Sequence, residues 1–320
     1  MNNYYTTLLD RLKRETVVRK TVLQGEGIGD EALFSGDEMI ASRVRGEHCW
    51  NEEGLLVERL DSKVELVLCG GGHVAKALYA LATTLEMEIS ILDERVEFCN
   101  RELYPEAALH CAPFGETLDE RQSWIKPYFV IITRGHSFDQ QCLEQCLALP
   151  HSYIGMIGSR HKVAITLDNL RKKGISEKTL AGVYTPIGLA IGAVTAEEIA
   201  ISIMAQIISV YRKQTHSVRL DPKLLRLLSE RDGYILARVV GKSGSAPCDI
   251  GFQMAIFSDG TTQGTVGGGL VEANTIEHAR LMLADGTMAN SVIEYGLDSA
   301  KAGSLGMICG GEVALLFQRQ

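Results

Sequence analysis

The spacing of apolar residues changes period many times along this chain, and each change predicts an element. Short apolar runs at residues 64–68, 88–92, 107–110, 128–133 and 153–157 are the right length for buried parallel strands. Between and after them the apolar residues recur every three to four positions, predicting helices over 73–85, 137–149, 160–173 and 195–212. The last of these has Thr195 as its N-cap, with Glu197 and Glu198 in its first turn. Alternation of strand and helix on this scale predicts an α/β fold, a doubly wound parallel sheet over residues 63–215. The segment RKQTHSVRLDP after Tyr211 loses its periodicity and is expected to be a linker. Beyond it, a helix at 222–229, strands at 234–240 and 252–257, and glycine clusters at 267–269 and 310–311 predict a smaller α+β domain over 221–320. The first fifteen residues form an amphipathic helix without the apolar core of a signal peptide.

The beginning of the chain echoes its end. ALFSGD from Ala32 matches AIFSDG from Ala255, and Cys49, Glu52, Leu55, Leu56 and Arg59 have the spacing of Cys309, Glu312, Leu315, Leu316 and Arg319. Thr21, Val22 and Leu23 before Gly27 likewise echo Arg238, Val239 and Val240 before Gly244. Residues 1–62 therefore read as a degenerate partial copy of the C-terminal domain. The copy keeps a strand framework and has no counterpart of the glycines at 267–269.

Composition narrows the choice of partners. The chain has 320 residues, of which 46% are hydrophobic, enough to bury more than one core. A formal charge of −8 argues against nucleic acid and anionic membranes, which need clustered Lys and Arg. No apolar run reaches the length of a spanning helix, so a cytoplasmic protein is expected, and its eight cysteines read as reduced thiols. Cys142 and Cys146 lack the second pair of a zinc site, and Ser243 and Ser245 lie outside a nucleophile elbow.

The densest candidate chemistry lies at the turn after the first strand of the α/β domain. Gly70, Gly72 and Ala75 fit the GxGxxG/A dinucleotide pattern at a strand-to-helix turn, with His73 opening the helix. Asp93 ends the next strand, where an acid accepts from ribose hydroxyls. The TRGH segment supplies Arg134 and His136 at the end of a later strand, His136 being a candidate proton donor or acceptor. GMIGSRHK repeats that arrangement, with Ser159 as a cap and Arg160 and Lys162 as anion contacts. In the last hundred residues, Ser245 of GSAP, Gly267, Gly268, Gly269 and Glu272 of VGGGLVE, and Cys309 and Gly310 of CGGE combine exposed backbone, a carboxylate and a thiol. Cys309 is the candidate catalytic thiol and soft-metal ligand.

These segments together resemble a known family. GGGHVAKAL with SILDER, TRGHSFD, YIGMIGSRHK and TPIGLAIGAVTAEEIAISIMAQI resemble the Rossmann domain of the XdhC and CoxI family, the xanthine dehydrogenase accessory proteins. GKSGSAPCDIGFQMAIFSDGTTQGTVGGGLVE and CGGEV resemble that family's other domain. The order departs from the family's, in which the GSAP domain comes first, and Cys248 stands where the family usually has Arg. The resemblance implies a chaperone that binds the molybdenum cofactor in its molybdopterin form, assists its sulfuration with a cysteine desulfurase, and delivers it to an apo molybdenum hydroxylase. It implies a site at Gly267 to Gly269, Glu272 and Cys309, with NAD(P) or another nucleotide in the Rossmann domain. The alternative expectation is an NAD(P)-dependent oxidoreductase with His136 as proton donor. A homodimer is expected, because a half-domain at the N-terminus needs a mate for its strand edges.

Overall fold

The structure is a computed structural model that describes residues 3–46, 48–50, 54–61, 64–118, 124, 127–214, 218, 220–246, 248–296 and 311–320. The chain forms two compact units: Lys63–Thr215, and a second unit that joins Met1–Ser62 to His216–Gln320.

The first of these units is an α/β fold around a parallel sheet. Its strands are β5 (Glu65–Cys69), β6 (Glu88–Leu92), β7 (Ala108–His110), β8 (Tyr128–Ile131) and β9 (Tyr153–Met156), in the order β7-β6-β5-β8-β9. All ladders are parallel, and Leu66 to Cys69 of the central strand are fully buried, as expected for a strand covered on both faces. Helices α2 (His73–Thr84) and α7 (Ala196–Gln214) pack against each other. Ala200, Ile203, Met204, Ile207 and Tyr211 form the buried stripe of α7. A capping box starts that helix: Glu198 N–H donates to Thr195 Oγ1 at 3.3 Å, and Glu198 Oε2 accepts from Thr195 N–H at 3.0 Å. The opposite face carries α4 (His136–Ala148) and α5 (Arg160–Lys172), whose core includes Cys142, Cys146, Leu143, Val163 and Leu170. Short helices α3 (Phe114–Thr117) and α6 (Glu177–Leu180) complete the unit.

The expectation of reduced thiols needs one correction, since Cys99 and Cys111 form a disulfide with 5.6 Å between their Cα atoms. Twelve residues apart and without a CxxC spacing, the pair is brought together only by the chain's return from β6 to β7.

In the second unit, helix α1 (Asn3–Leu12) precedes β1 (Val17–Val22), β2 (Glu31–Ser35), β3 (Glu38–Arg43) and β4 (Leu55–Leu60), an antiparallel sheet ordered β3-β2-β1-β4. Helix α8 (Pro222–Glu230) precedes β10 (Tyr234–Ser243), β11 (Gln253–Phe257), β12 (Thr262–Gly264), α9 (Gly269–Ala284), β13 (Ser291–Gly296) and β14 (Glu312–Arg319), with strand order β12-β11-β10-β14-β13. Pro222 and the Asp221 side chain, which accepts from Lys223 N–H at 2.8 Å, set the start of α8. β10 is buried on both faces. Tyr234 and Leu236 join a core with α1 and α8, while Ile235, Ala237 and Val239 join one that includes Val271, Ala279 and Met282 of α9. No helix among the described residues is long and apolar enough to cross a membrane.

Candidate functional site

Two places gather the residues singled out by sequence, one in each unit. In the α/β unit the strand order reverses between β5 and β8, and open sheets take ligands outside the carboxyl ends of the strands at such a reversal. β5 runs into Gly70, whose φ of +116° suits glycine and whose added Cβ would lie 2.5 Å from Ile132 O. At Gly71 a Cβ would lie 2.0 Å from Phe98 O, whereas at Gly72 it would meet nothing within 4 Å. Gly72 is the N-cap of α2 and Gly135 that of α4, and neither helix has a side-chain cap. The first N–H groups of two long helices are thus left for an anion, which their dipoles favour.

Gly70, Gly72, His73, Arg134 and the backbone of His136 therefore share one end of the sheet; the His136 side chain lies outside what the structure describes. Arg134 reaches the loop after β6, pairing with Glu94 at 2.5 Å and lying 4.9 Å from the centre of the Phe138 ring.

Asp93 directly follows β6, where an acid was expected, but its carboxylate is already engaged. Oδ2 accepts from Gly71 N–H at 3.0 Å and from Arg95 Nη2 at 2.7 Å, and Oδ1 accepts from Arg95 Nε at 2.9 Å. Burial acts to raise its pKa, yet the bonds from Arg95 and Gly71 outweigh burial and hold the carboxyl below its ordinary value. Tyr104 Oη donates to Gly71 O at 2.9 Å, and the Arg95 guanidinium stacks 4.0 Å from the Phe98 ring. Arg95, Phe98 and Tyr104 therefore hold the glycine turn from above β6, a role that no local pattern announces. With a depressed pKa, Asp93 contributes stability that is present above its ordinary value near 4 and is lost as pH falls through the folded value. Proteolysis of the loop at 94–104 should accordingly rise below about pH 4, and an acid-independent cleavage rate would show that Asp93 does not hold it.

Asp139 is the buried centre of the next turn. Its Oδ1 accepts from Thr133 Oγ1 at 2.6 Å and from Thr133 N–H at 3.1 Å, and its other oxygen pairs with Lys162. One fully buried carboxylate thus ties the TRGH turn to the start of α5. Lys162, expected to contact an anion, spends its charge on Asp139, and Ser159 caps α5 as expected, accepting from Lys162 N–H at 3.3 Å. Arg160 is exposed. Asp139→Asn should cost about 3 kcal/mol of stability in a denaturant titration, because it strands a largely buried ammonium; a loss below about 1 kcal/mol would contradict the role given to Asp139.

In the second unit, ladder directions decide which loops meet. β10 and β11 are antiparallel, as are β11 and β12 and β10 and β14. The GSAP loop leaves the end of β10, the VGGG segment follows the end of β12, and Gly311 precedes β14, so all three lie at one end of the sheet. Gly311 is packed there: its Cβ would lie 2.6 Å from the carbonyl oxygens of both Ser243 and Ser245. Ser243 Oγ donates to Glu312 Oε2 at 3.3 Å.

Gly267, Gly268 and Gly269 all have positive φ, at +114°, +79° and +61°. Gly268 is the N-cap of α9 with no side-chain cap, and Glu272 sits in that helix's first turn. Cys248 is buried, which pushes its thiol up and makes it a poor thiolate. Cys309 and Gly310 lie outside the described residues. Among the described residues no group of three His, Cys, Asp or Glu side chains is placed to hold a metal.

Both units of the chain are similar to known proteins. Residues 66–207 match the model of the XdhC Rossmann domain, and residues 227–296 that of the XdhC and CoxI family. The chain belongs to the XdhC and CoxI family. It is 31% identical over 179 residues to the uncharacterized protein YqeB of Escherichia coli K12, covering 55% of this chain and 33% of that one. It is 28% identical over 184 residues to a probable xanthine dehydrogenase subunit of Bacillus subtilis, covering 57% of this chain and 54% of that one. The chain thus matches between about a third and about a half of the length of these relatives. A crystal structure of a xanthine dehydrogenase from Bacillus halodurans shares the fold, with a TM-score of 0.54 and 24% identity over 65% of this chain and 63% of that one.

Proposed function

We propose that this protein is an accessory factor in the maturation of a xanthine dehydrogenase-type molybdenum hydroxylase, carrying the molybdenum cofactor as cargo. Membership of the XdhC and CoxI family supports the accessory role. The observation that carries the cargo reading is the convergence of the GSAP, VGGG and Gly311 loops at one end of the C-terminal sheet, beside the uncapped start of α9. Glycines at positive φ let backbone N–H groups approach a phosphate closely, and a helix N-terminus favours its charge. In this reading Gly267, Gly268, Gly269 and Ser245 receive the phosphate and pterin, Glu272 meets the pterin's amino edge, and Cys309 with Gly310 supplies the soft ligand. Sulfur for the cargo comes from a cysteine desulfurase, and the recipient is the apo hydroxylase.

The crevice between β5 and β8 supports a second ligand, a nucleotide or a nucleotide-bearing form of the cargo, because two uncapped helix starts suit a diphosphate. An oxidoreductase using NAD(P) there is the competing reading, although Asp93 is held by Arg95 rather than open to a ribose. Mixing apo hydroxylase with free cofactor, with and without this protein, separates the two. The accessory reading expects hydroxylase activity to rise with wild type and not with Cys309→Ala, whereas steady nicotinamide oxidation by the protein alone would favour the oxidoreductase.

A further inference from the structure

The two sheets of the discontinuous unit follow one plan, and their ladders give a residue-by-residue correspondence. Each core sheet contains the same order, β3-β2-β1-β4 against β12-β11-β10-β14, and each begins after a helix, α1 or α8. Laying Thr21 on Arg238 carries Glu31 onto Gln253, because Thr21 pairs with Glu31 and Arg238 with Gln253. The same alignment lays Arg59 on Arg319, the partners of Val18 and Ile235, and Glu58 on Gln318, the partners of Arg19 and Leu236. Faces are preserved: Val17, Leu33 and Leu60 share one core with Tyr234, Leu236, Ala255 and Phe257. The ALFSGD and AIFSDG echo is one residue out of this register, and such a slip would turn every side chain of β2 to the other face.

The corresponding elements also meet. Arg238 Nη2 donates to Thr21 Oγ1 at 2.8 Å, and in a two-fold arrangement a residue touches its own counterpart only near the axis. Helices α1 and α8, also counterparts, pack on each other. Thr21, Glu31, Glu58, Arg238, Gln253 and Gln318 are all buried, so three corresponding pairs of polar positions lie inside the unit. Arg238 Nη1 lies 3.2 Å from Glu31 and 3.3 Å from Glu58, and Arg19 Nε bonds Glu58 at 2.8 Å.

We infer that the N-terminal sheet is the C-terminal domain's built-in partner, occupying within one chain the place of a second copy across a pseudo-two-fold axis and excluding a second chain from that face. The charges make the pairing exclusive. Two C-terminal sheets placed across this axis would bring two Arg238 guanidiniums together with only Gln253 and Gln318 beside them, and buried charges without counter-ions are strongly disfavoured. The N-terminal copy has Thr21 where its counterpart has Arg, and carboxylates at both positions where its counterpart has Gln. It therefore brings Glu31 and Glu58 to Arg238, together with its own Arg19. The mate expected for the N-terminal strands is supplied from within the chain.

The test clips the folded full chain at protease sites placed in its two connections, at 62–63 and 215–217, and sizes the pieces without denaturant. The 1–62 piece should elute one-to-one with the 216–320 piece. Glu31→Gln with Glu58→Gln should weaken that association by about 100-fold or more, and adding Arg238→Gln and Arg19→Leu should restore most of it. A 216–320 piece that pairs with itself, a 1–62 piece that elutes alone from wild type, or unchanged association in the double variant would each overturn the inference. Amide exchange in the unclipped chain provides a second readout: β1 and β4 should lose protection in the double variant and regain it in the fourfold one, and unaltered protection would count against the inference.

Discussion

Gly70→Ala should destabilise the α/β unit by about 3 kcal/mol or more, whereas Gly72→Ala, two residues on, should leave its stability within about 0.5 kcal/mol of wild type. At Gly70 the backbone is in a left-handed region and a methyl group would sit 2.5 Å from Ile132 O, a backbone atom that cannot move without disturbing the end of β8. At Gly72 φ is −80° and nothing lies within 4 Å of an added Cβ. That open space is where an anion would approach the start of α2, so Gly72→Ala should fold normally yet bind pyrophosphate or ADP at least ~10-fold more weakly. Denaturant titration gives the first quantity and calorimetry the second. Equal stability losses at the two positions would mean that the turn is not built as described. Unchanged anion affinity in Gly72→Ala would mean that the crevice does not hold the anion at the start of α2.

Arg238→Met should cost the discontinuous unit about 3 to 5 kcal/mol, since it leaves Glu31 and Glu58 in the interior with one fewer counter-charge. In thermal unfolding this corresponds to a fall of roughly 10 °C for a unit of this size. The same cluster sets an acid limit. Burial acts to raise the Glu31 pKa, but Arg43, Arg238 and Arg19 outweigh it and bring the carboxyl down to about 2. Because the folded value is depressed, the stabilisation is complete above the ordinary carboxylate value near 4.5 and is lost as pH falls toward 2. In Arg238→Met the acid loss should be smaller and should be complete at a higher pH, because a counter-charge holding the folded-state carboxylate ionised is gone. A pH profile that does not shift would show that Arg238 is not the partner that matters.

The parallel sheet was legible because its signals are local: buried apolar runs, glycine turns and a capping box at Thr195 each occupy a few consecutive residues. Helix α9 was not, because its buried stripe of Val271, Thr275, Ala279 and Met282 begins after three glycines and includes a threonine and an alanine, which hydrophobic periodicity hardly registers. Asp93 was legible as a strand-ending acid, but its engagement by Arg95 and by the Gly71 N–H depends on how the loop after β6 folds back. Asp139 stood in the TRGHSFD segment without a role, since its partners Thr133 and Lys162 come from different turns. Cys99 and Cys111 meet for the same reason. The echo between the two ends of the chain was visible as spacing, while the register that turns Thr21 toward Arg238 required the ladders.

The accessory reading stands on cargo binding at the glycine loops, and retention of the cofactor tests it directly. Molybdenum cofactor is added anaerobically to the full chain and to Cys309→Ala, followed by gel filtration with molybdenum and pterin analysis of the protein peak. Wild type should retain metal and pterin together in equal amounts, and Cys309→Ala should retain much less. Absence of both from the wild-type peak would contradict the accessory reading.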